Sequence, residues 1–175
     1  VGGGGLGDMG QHYIDPVQYI LGKDETSPVK VEVDAPQQHY DAAGTWRSIT
    51  YTYEDGCQIV LWGDDFGNPG TPYIAGPKGN VYKNFVCDIP DWEKKLAGFP
   101  DPEPQHTDFM ECIKNRQKFA LNEMNGHRSS TIVNMGVAAL RLNRTLHFDP
   151  VKQLFINDDA ANLLVNQPMR APWNI

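Results

Sequence analysis

Two polar groups at helical spacing are the first place this chain could do chemistry: Asp8 and His12, in Gly7-Asp8-Met9-Gly10-Gln11-His12. Residues four apart on a helix share a face. A carboxylate there can orient an imidazole and raise its basicity, which suits general acid–base work near neutral pH. The same pair also fits a capping aspartate at a helix start beside an ordinary surface histidine. Metal ligation would need a third ligand, and the sequence identifies none. Asp15 and Tyr19 continue the stripe at spacings of three and four.

The glycines just before this pair compete with it. Gly2-x-Gly4-x-x-Gly7 has the spacing of a dinucleotide-binding turn. That turn needs a strand before it, a helix after it, and an acid after the next strand. The helix is expected, and Val29–Val33 followed by Asp34 could stand for the second strand and its ribose-binding acid. This sequence offers no strand ahead of the glycines, however, and hairpins rather than another βαβ unit follow Asp34. The better reading is a turn whose glycines let backbone pack or approach a ligand closely.

Other polar groups are weaker candidates. His127-Arg128 could bind an anionic or hydroxylated ligand near a helix start, or only cap that helix. Trp62, Asp64 and Asp65 could face a sugar, or could be a strand end running into a solvated loop. Cys57, Cys87 and Cys112 have neither metal nor redox spacing and read as buried or half-buried thiols. No Ser/His/Asp or Cys/His motif with recognisable context is present.

The elements that must position these groups follow from periodicity. Residues 6–21 read as helical, with Met9, Tyr13, Val17 and Ile20 on an apolar stripe. Pro16 is awkward inside a helix. Asp15 as N-cap, Pro16 at the first position and Gln18 in a capping box could restart one there. Gly22 ends the segment. Val29, Val31 and Val33 alternate with Lys30 and Glu32, as in a half-buried strand. Trp46–Tyr53 alternates likewise and turns through Glu54-Asp55-Gly56 into Gln58–Trp62. A second hairpin joins Tyr73–Ala75 to Val81-Tyr82 through Gly76–Asn80. Such hairpin-linked runs favour an antiparallel sheet.

The last third is helical. Asp91–Leu96, Thr107–Asn115 and an apolar Ser129–Leu142 are expected as helices, the last of them buried. A proline-rich connector lies at Pro100–Pro104. Leu146–Pro150 turns into Lys152–Ile156, Asp158 caps a final short helix, and Gln167–Ile175 is an extended tail.

Bulk composition sets outer limits. At 175 residues the chain has the length of one domain, able to bury roughly two-thirds of its unfolded surface. A net charge of −7 argues against sequence-independent binding to nucleic acid, which requires a basic face. No apolar run reaches the length that spans a membrane. The chain opens on Val1-Gly2-Gly3 without an initiator methionine and is expected to be a fragment of a longer one. The default compartment is cytoplasmic, with export open if an upstream signal was lost.

Several separated segments point the same way. Gly3-Gly4-Gly5-Leu6-Gly7-Asp8-Met9-Gly10-Gln11-His12-Tyr13-Ile14-Asp15 resembles a segment of the glucose–fructose oxidoreductase and inositol dehydrogenase (Gfo/Idh/MocA) family. There a glycine-rich turn leads into the first helix of the C-terminal domain. Gly76-Pro77-Lys78-Gly79, Phe119-Ala120-Leu121-Asn122-Glu123-Met124-Asn125-Gly126-His127-Arg128-Ser129 and Gln167-Pro168-Met169-Arg170-Ala171-Pro172-Trp173 are similar to a bacterial subgroup. The resemblance implies an α+β domain: a large, mostly antiparallel open sheet with helices packed on one face. The sheet's other face would serve homo-oligomer contact.

It also implies a function. Relatives carry an N-terminal Rossmann domain that binds NAD or NADP, with a sugar or polyol substrate held between the domains. His12 would be the acid/base on the hydroxyl that becomes a carbonyl, and Asp8 would orient it and hydrogen-bond the substrate. Asp15 would support the helix or reach substrate, and Gly5, with the His127-Arg128 pair noted above, would be further candidates for substrate contact. This chain lacks the nucleotide-binding domain and the lysine-bearing loop, so it would bind no cofactor and would be inactive alone. Two alternatives stand beside this dehydrogenase reading: an NAD-dependent glycosidase of the same family, and a stand-alone carbohydrate-binding or assembly module.

Overall fold

Strict alternation builds the sheet. In the computed structural model, which describes residues 3–39, 44–63, 70–101, 105–165 and 171–172, the elements run in chain order. They are α1 (Gln11–Ile20), β1 (Lys30–Asp34), β2 (Ser48–Thr52), β3 (Gln58–Trp62), β4 (Ile74–Gly76), β5 (Gly79–Val81), α2 (Trp92–Leu96), α3 (Phe109–Asn115), α4 (Glu123–Leu142), β6 (Leu146–Asp149), β7 (Leu154–Phe155) and α5 (Asp159–Val165). A single π-helical turn, Leu6–Gly10, feeds α1. The proposed helix restart at Asp15-Pro16, Asp64 and Asp65, the connector and the tail meet different ends. The helix runs unbroken through Pro16. Asp64 and Asp65, residues 102–104 and all of the tail but Ala171-Pro172 lie outside the described residues.

The chain falls into two compact units, Val1–Asp65 with Leu121–Ile175, and Phe66–Ala120. In the first, five strands pair antiparallel in the order β3-β2-β1-β6-β7. Register puts the inward residues opposite one another: Val31 against Tyr51 and Leu146, Ile49 against Leu61, Tyr51 against Ile59. These side chains meet Leu6, Ile14, Ile132, Met135, Ala138, Ala139 and Leu140 from the helical layer in one core. Lys30, Glu32, Thr50, Val60 and Trp62 occupy the alternate positions, which point to the opposite face. The structure is therefore the expected α+β sheet with helices on one side.

The second unit carries the β4–β5 hairpin, α2 and α3. Cys112 is its one buried residue among those described.

Helix α1 buries a different stripe from the one its apolar residues suggest. Met9, Tyr13 and Ile20 are each at least 50% exposed, while Leu6, Gly10, Ile14 and Gln18 are buried. Glycine explains the rotation. A Cβ on Gly10 would stand 2.9 Å from Leu6 Cδ1, and one on Gly136 would stand 2.2 Å from Tyr51 Oη and 2.9 Å from Leu6 Cδ2. Leu6 fills the space left by these two missing side chains, one on its own turn and one on α4, and a periodicity counted in large apolar residues overlooks them.

Helix ends follow standard chemistry. Gly22, at φ +64, ends α1 in a Schellman turn: its N–H donates to the Tyr19 carbonyl and the Lys23 N–H to that of Gln18. Asn143 closes α4 the same way. Asp158 caps α5, accepting from the Ala161 N–H at 3.0 Å. A paired Arg144 holds its carboxyl below the ordinary carboxylate range.

Candidate functional site

The first two turns of α1 and the start of α4 wall a groove of about 410 Å³. It is lined by Gln11, His12, Asp15 and Pro16 from α1, and by Leu121, Asn122, Asn125 and Gly126. Helix α4 begins six residues before the expected Ser129, capped by Asn122, whose Oδ1 accepts from the Met124 and Asn125 N–H groups. Asn125 and Gly126 thus present the first turn of α4 to α1. Gly126 has nothing within 4 Å of where a Cβ would be, so its missing side chain widens the groove.

On the other wall, Pro16 has no N–H to offer the His12 carbonyl, leaving that oxygen without its helical donor. His12 is exposed and Asp15 half-buried. Ser129, 2% exposed on α4, donates its hydroxyl to Asp15 Oδ1 at 2.5 Å. The Gln11 and Asn125 side-chain carboxamides and the His12 ring have no hydrogen-bond partner among the described residues. The groove therefore offers an imidazole, a carboxylate and two carboxamides above the apolar surface of Pro16 and Leu121. That set can accept from and donate to several hydroxyls at once and pack against C–H groups between them.

The remaining expected residues are placed elsewhere. Asp8 and Gly5 are exposed on the π turn and its approach, outside the groove lining, and no hydrogen bond joins Asp8 to His12. Gly5 and Gly7 have open space where a Cβ would be, whereas a Cβ on Gly3 would meet Val137 Cγ2 at 2.9 Å. His127 Nε2 lies 3.2 Å from Gln153 Oε1, and Arg128 Nη1 donates to the buried Ser27 Oγ at 3.2 Å. Neighbours on one helix, they point to different partners, and neither lines the groove.

Gln18 Nε2 donates to the Lys23 carbonyl, while Gln18 Oε1 and Arg128 Nε are buried without a partner. Asp24 titrates above the ordinary carboxylate range, pushed up first by burial and then by the charges of Asp15 and Glu25.

Sequence reasoning singled out His12 and Asp15 but not Gln11, Asn122, Asn125 or Ser129. The signal for the last three was an asparagine ahead of a helical run, which marks an N-cap, and Gly126 obscured the run. No group of three or more His, Cys, Asp or Glu among the described residues could hold a metal. Nor do they form a dinucleotide cradle. Every described strand pairing is antiparallel, and Asp34, the candidate ribose-binding acid, is held by the Arg47 guanidinium through Nε at 2.9 Å and through Nη2. The second unit has a smaller groove of about 310 Å³ among Phe109, Cys112, Ile113, Arg116, Gln117 and Phe119, without a carboxylate or imidazole in its lining. No described helix is long and apolar enough to cross a membrane.

Comparison with known proteins supplies a family. No curated protein matches the chain. Its structure is similar to the crystal structure of a Klebsiella pneumoniae protein assigned as an oxidoreductase, at a TM-score of 0.52 and 16% identity. The match covers 94% of this chain and 53% of that one, so this chain spans about half of its structural relative. A model of the oxidoreductase family's C-terminal alpha/beta domain matches residues 1–175, the whole chain. On that match, this chain belongs to the Gfo/Idh/MocA oxidoreductase family, as its C-terminal domain.

Proposed function

We propose that this chain is the substrate-holding half of an NAD(P)-dependent sugar or polyol oxidoreductase. The observation that carries the reading is the convergence of His12, Asp15, Gln11 and Asn125 on one groove over Pro16 and Leu121. His12 takes the proton of the hydroxyl that becomes a carbonyl, the general-base role an imidazole can fill. Asp15 accepts from a neighbouring hydroxyl, and the two carboxamides fix the ring's orientation. An orienting role for Asp8 requires its side chain to turn toward His12. Gly5, His127 and Arg128 come into contact only with substrate atoms that extend beyond the groove.

Oxidation of an alcohol also needs a hydride acceptor. The described residues do not fit a dinucleotide, so in this reading NAD or NADP is bound outside this chain, and the chain alone does not turn over. The face carrying Thr50, Val60 and Trp62, with Trp62 51% exposed, serves contact between copies. The test is His12→Ala in an enzyme that carries this domain. Turnover on its sugar should fall by about 10²–10⁴, with the fold intact by circular dichroism. Near-wild-type turnover would remove His12 from the chemistry.

A further inference from the structure

The only described partner of the groove's carboxylate is a hydroxyl. Asp15 Oδ1 accepts from Ser129 Oγ at 2.5 Å, and Ser129 is 2% exposed. Ser129 follows Asn125 by four residues on α4, so it lies one turn further along the face that forms the groove wall. The cation next to it in sequence is committed elsewhere, since Arg128 Nη1 donates to Ser27 Oγ. Asp15 is thus held by one neutral donor at one oxygen, and Oδ2 has no partner among the described residues. A guanidinium in place of the hydroxyl would occupy both oxygens and cancel the charge. A hydroxyl fixes the side chain and leaves an anionic acceptor free.

We propose that Ser129 is a positioning residue: it locks the Asp15 side chain in one rotamer so that Oδ2 accepts a ligand hydroxyl in the groove. The half of this statement that concerns ligand rests on the function proposed above, and the half that concerns Asp15 does not. The carboxylate on its own could turn about two side-chain torsions, and ordering it in advance removes that entropy from the binding step. Burial of Ser129 makes the lock firm, because an unsatisfied buried hydroxyl is costly.

The test has a ligand-free arm and a binding arm, both on the whole chain. Three-bond couplings across the Asp15 Cα–Cβ bond should report one rotamer in the wild type and in Ser129→Thr, which keeps the hydroxyl. They should average in Ser129→Ala. Unaveraged couplings in Ser129→Ala would overturn the proposal, whatever the ligand result. In the second arm D-glucose, D-mannitol and myo-inositol are titrated and followed at the Asn125 and Gly126 amides. Ser129→Ala should weaken the strongest binder about tenfold, the size of one lost hydrogen bond to a charged group. It should cost nothing further in an Asp15→Ala background, where no side-chain oxygen remains to be positioned. Equal losses in both backgrounds would also overturn it, since Ser129 would then act independently of Asp15. If no polyol binds the wild type, the proposed function fails, and the couplings still decide the role of Ser129.

Discussion

The two halves of α4 do opposite work. From Ile132 to Leu140 the helix is core: Ile132, Met135, Ala138, Ala139 and Leu140 are at most 3% exposed and pack against the sheet. From Glu123 to Ser129 it is polar, and it meets α1 through Asn125, Gly126 and the Ser129–Asp15 hydrogen bond. One rigid rod anchored at one end in an apolar core presents its other end to a groove. Such anchorage holds a binding group steadier than a loop can. Each half has its own glycine, and the two glycines are there for opposite reasons.

Truncation in the core half should have the largest effect. Leu140→Ala should cost about 2–5 kcal/mol in urea unfolding, by lost transfer energy and a residual cavity. Asn134→Ala, on the exposed side of the same helix, should stay within about 0.5 kcal/mol. Equal costs would mean that α4 does not anchor the fold as described.

The glycine pair sharpens the contrast. Gly136→Ala should destabilise by about 1–3 kcal/mol, because its Cβ would strike Tyr51 and Leu6 in a filled core. Gly126→Ala should stabilise by up to about 1 kcal/mol, the ordinary helix preference for alanine, and should narrow the groove. Opposite signs in denaturant midpoints are the expected outcome. The same sign at both sites would erase the distinction between the halves.

Removing the cap affects only the groove end. Asn122→Ala should cost about 1 kcal/mol, and amide exchange should speed up at Met124 and Asn125 while the core half stays protected. Uniform loss of protection along α4 would contradict a locally placed effect.

The smallest effect is electrostatic. Burial, then Asp15 and Glu25, raise the Asp24 carboxyl above its ordinary range. A carboxyl raised on folding takes up its proton more readily in the folded state. Its favourable contribution is therefore full below the unfolded value and is lost as pH rises through the folded one. Asp24→Asn should then melt at or above the wild type at pH 7, and the difference should vanish in acid. A variant less stable at pH 7 would reverse the sign.

The sequence was most readable where periodicity and burial coincide. Strand β1, the β2–β3 hairpin and the apolar part of α4 follow directly from alternation and from Ile132–Leu140. It was misleading where glycine replaces an apolar contact. The buried stripe of α1 runs through Gly10 because Leu6 needs the space, and Met9 and Tyr13 are left exposed. It was silent where a site depends on contacts between distant residues. His12 and Asp15 stand out by spacing alone, but Asn125 lines the same groove only because Asn122 starts α4 early. Ser129 reaches Asp15 across 114 positions of chain. No local pattern records such a contact. The resemblance to a family supplied the fold and the role proposed for His12, and the geometry supplied the rest of the groove wall.

The central claim is that hydroxyl-rich ligands enter the groove between the polar end of α4 and α1. Its most direct test is an amide-resolved NMR titration of the whole chain with D-glucose, D-mannitol and myo-inositol. The shifts should concentrate at Gln11, His12, Asn125 and Gly126 and disappear in Asp15→Asn. Shifts centred on Phe109–Phe119 in the other unit, or none at any of these amides up to the solubility of the sugars, would contradict it.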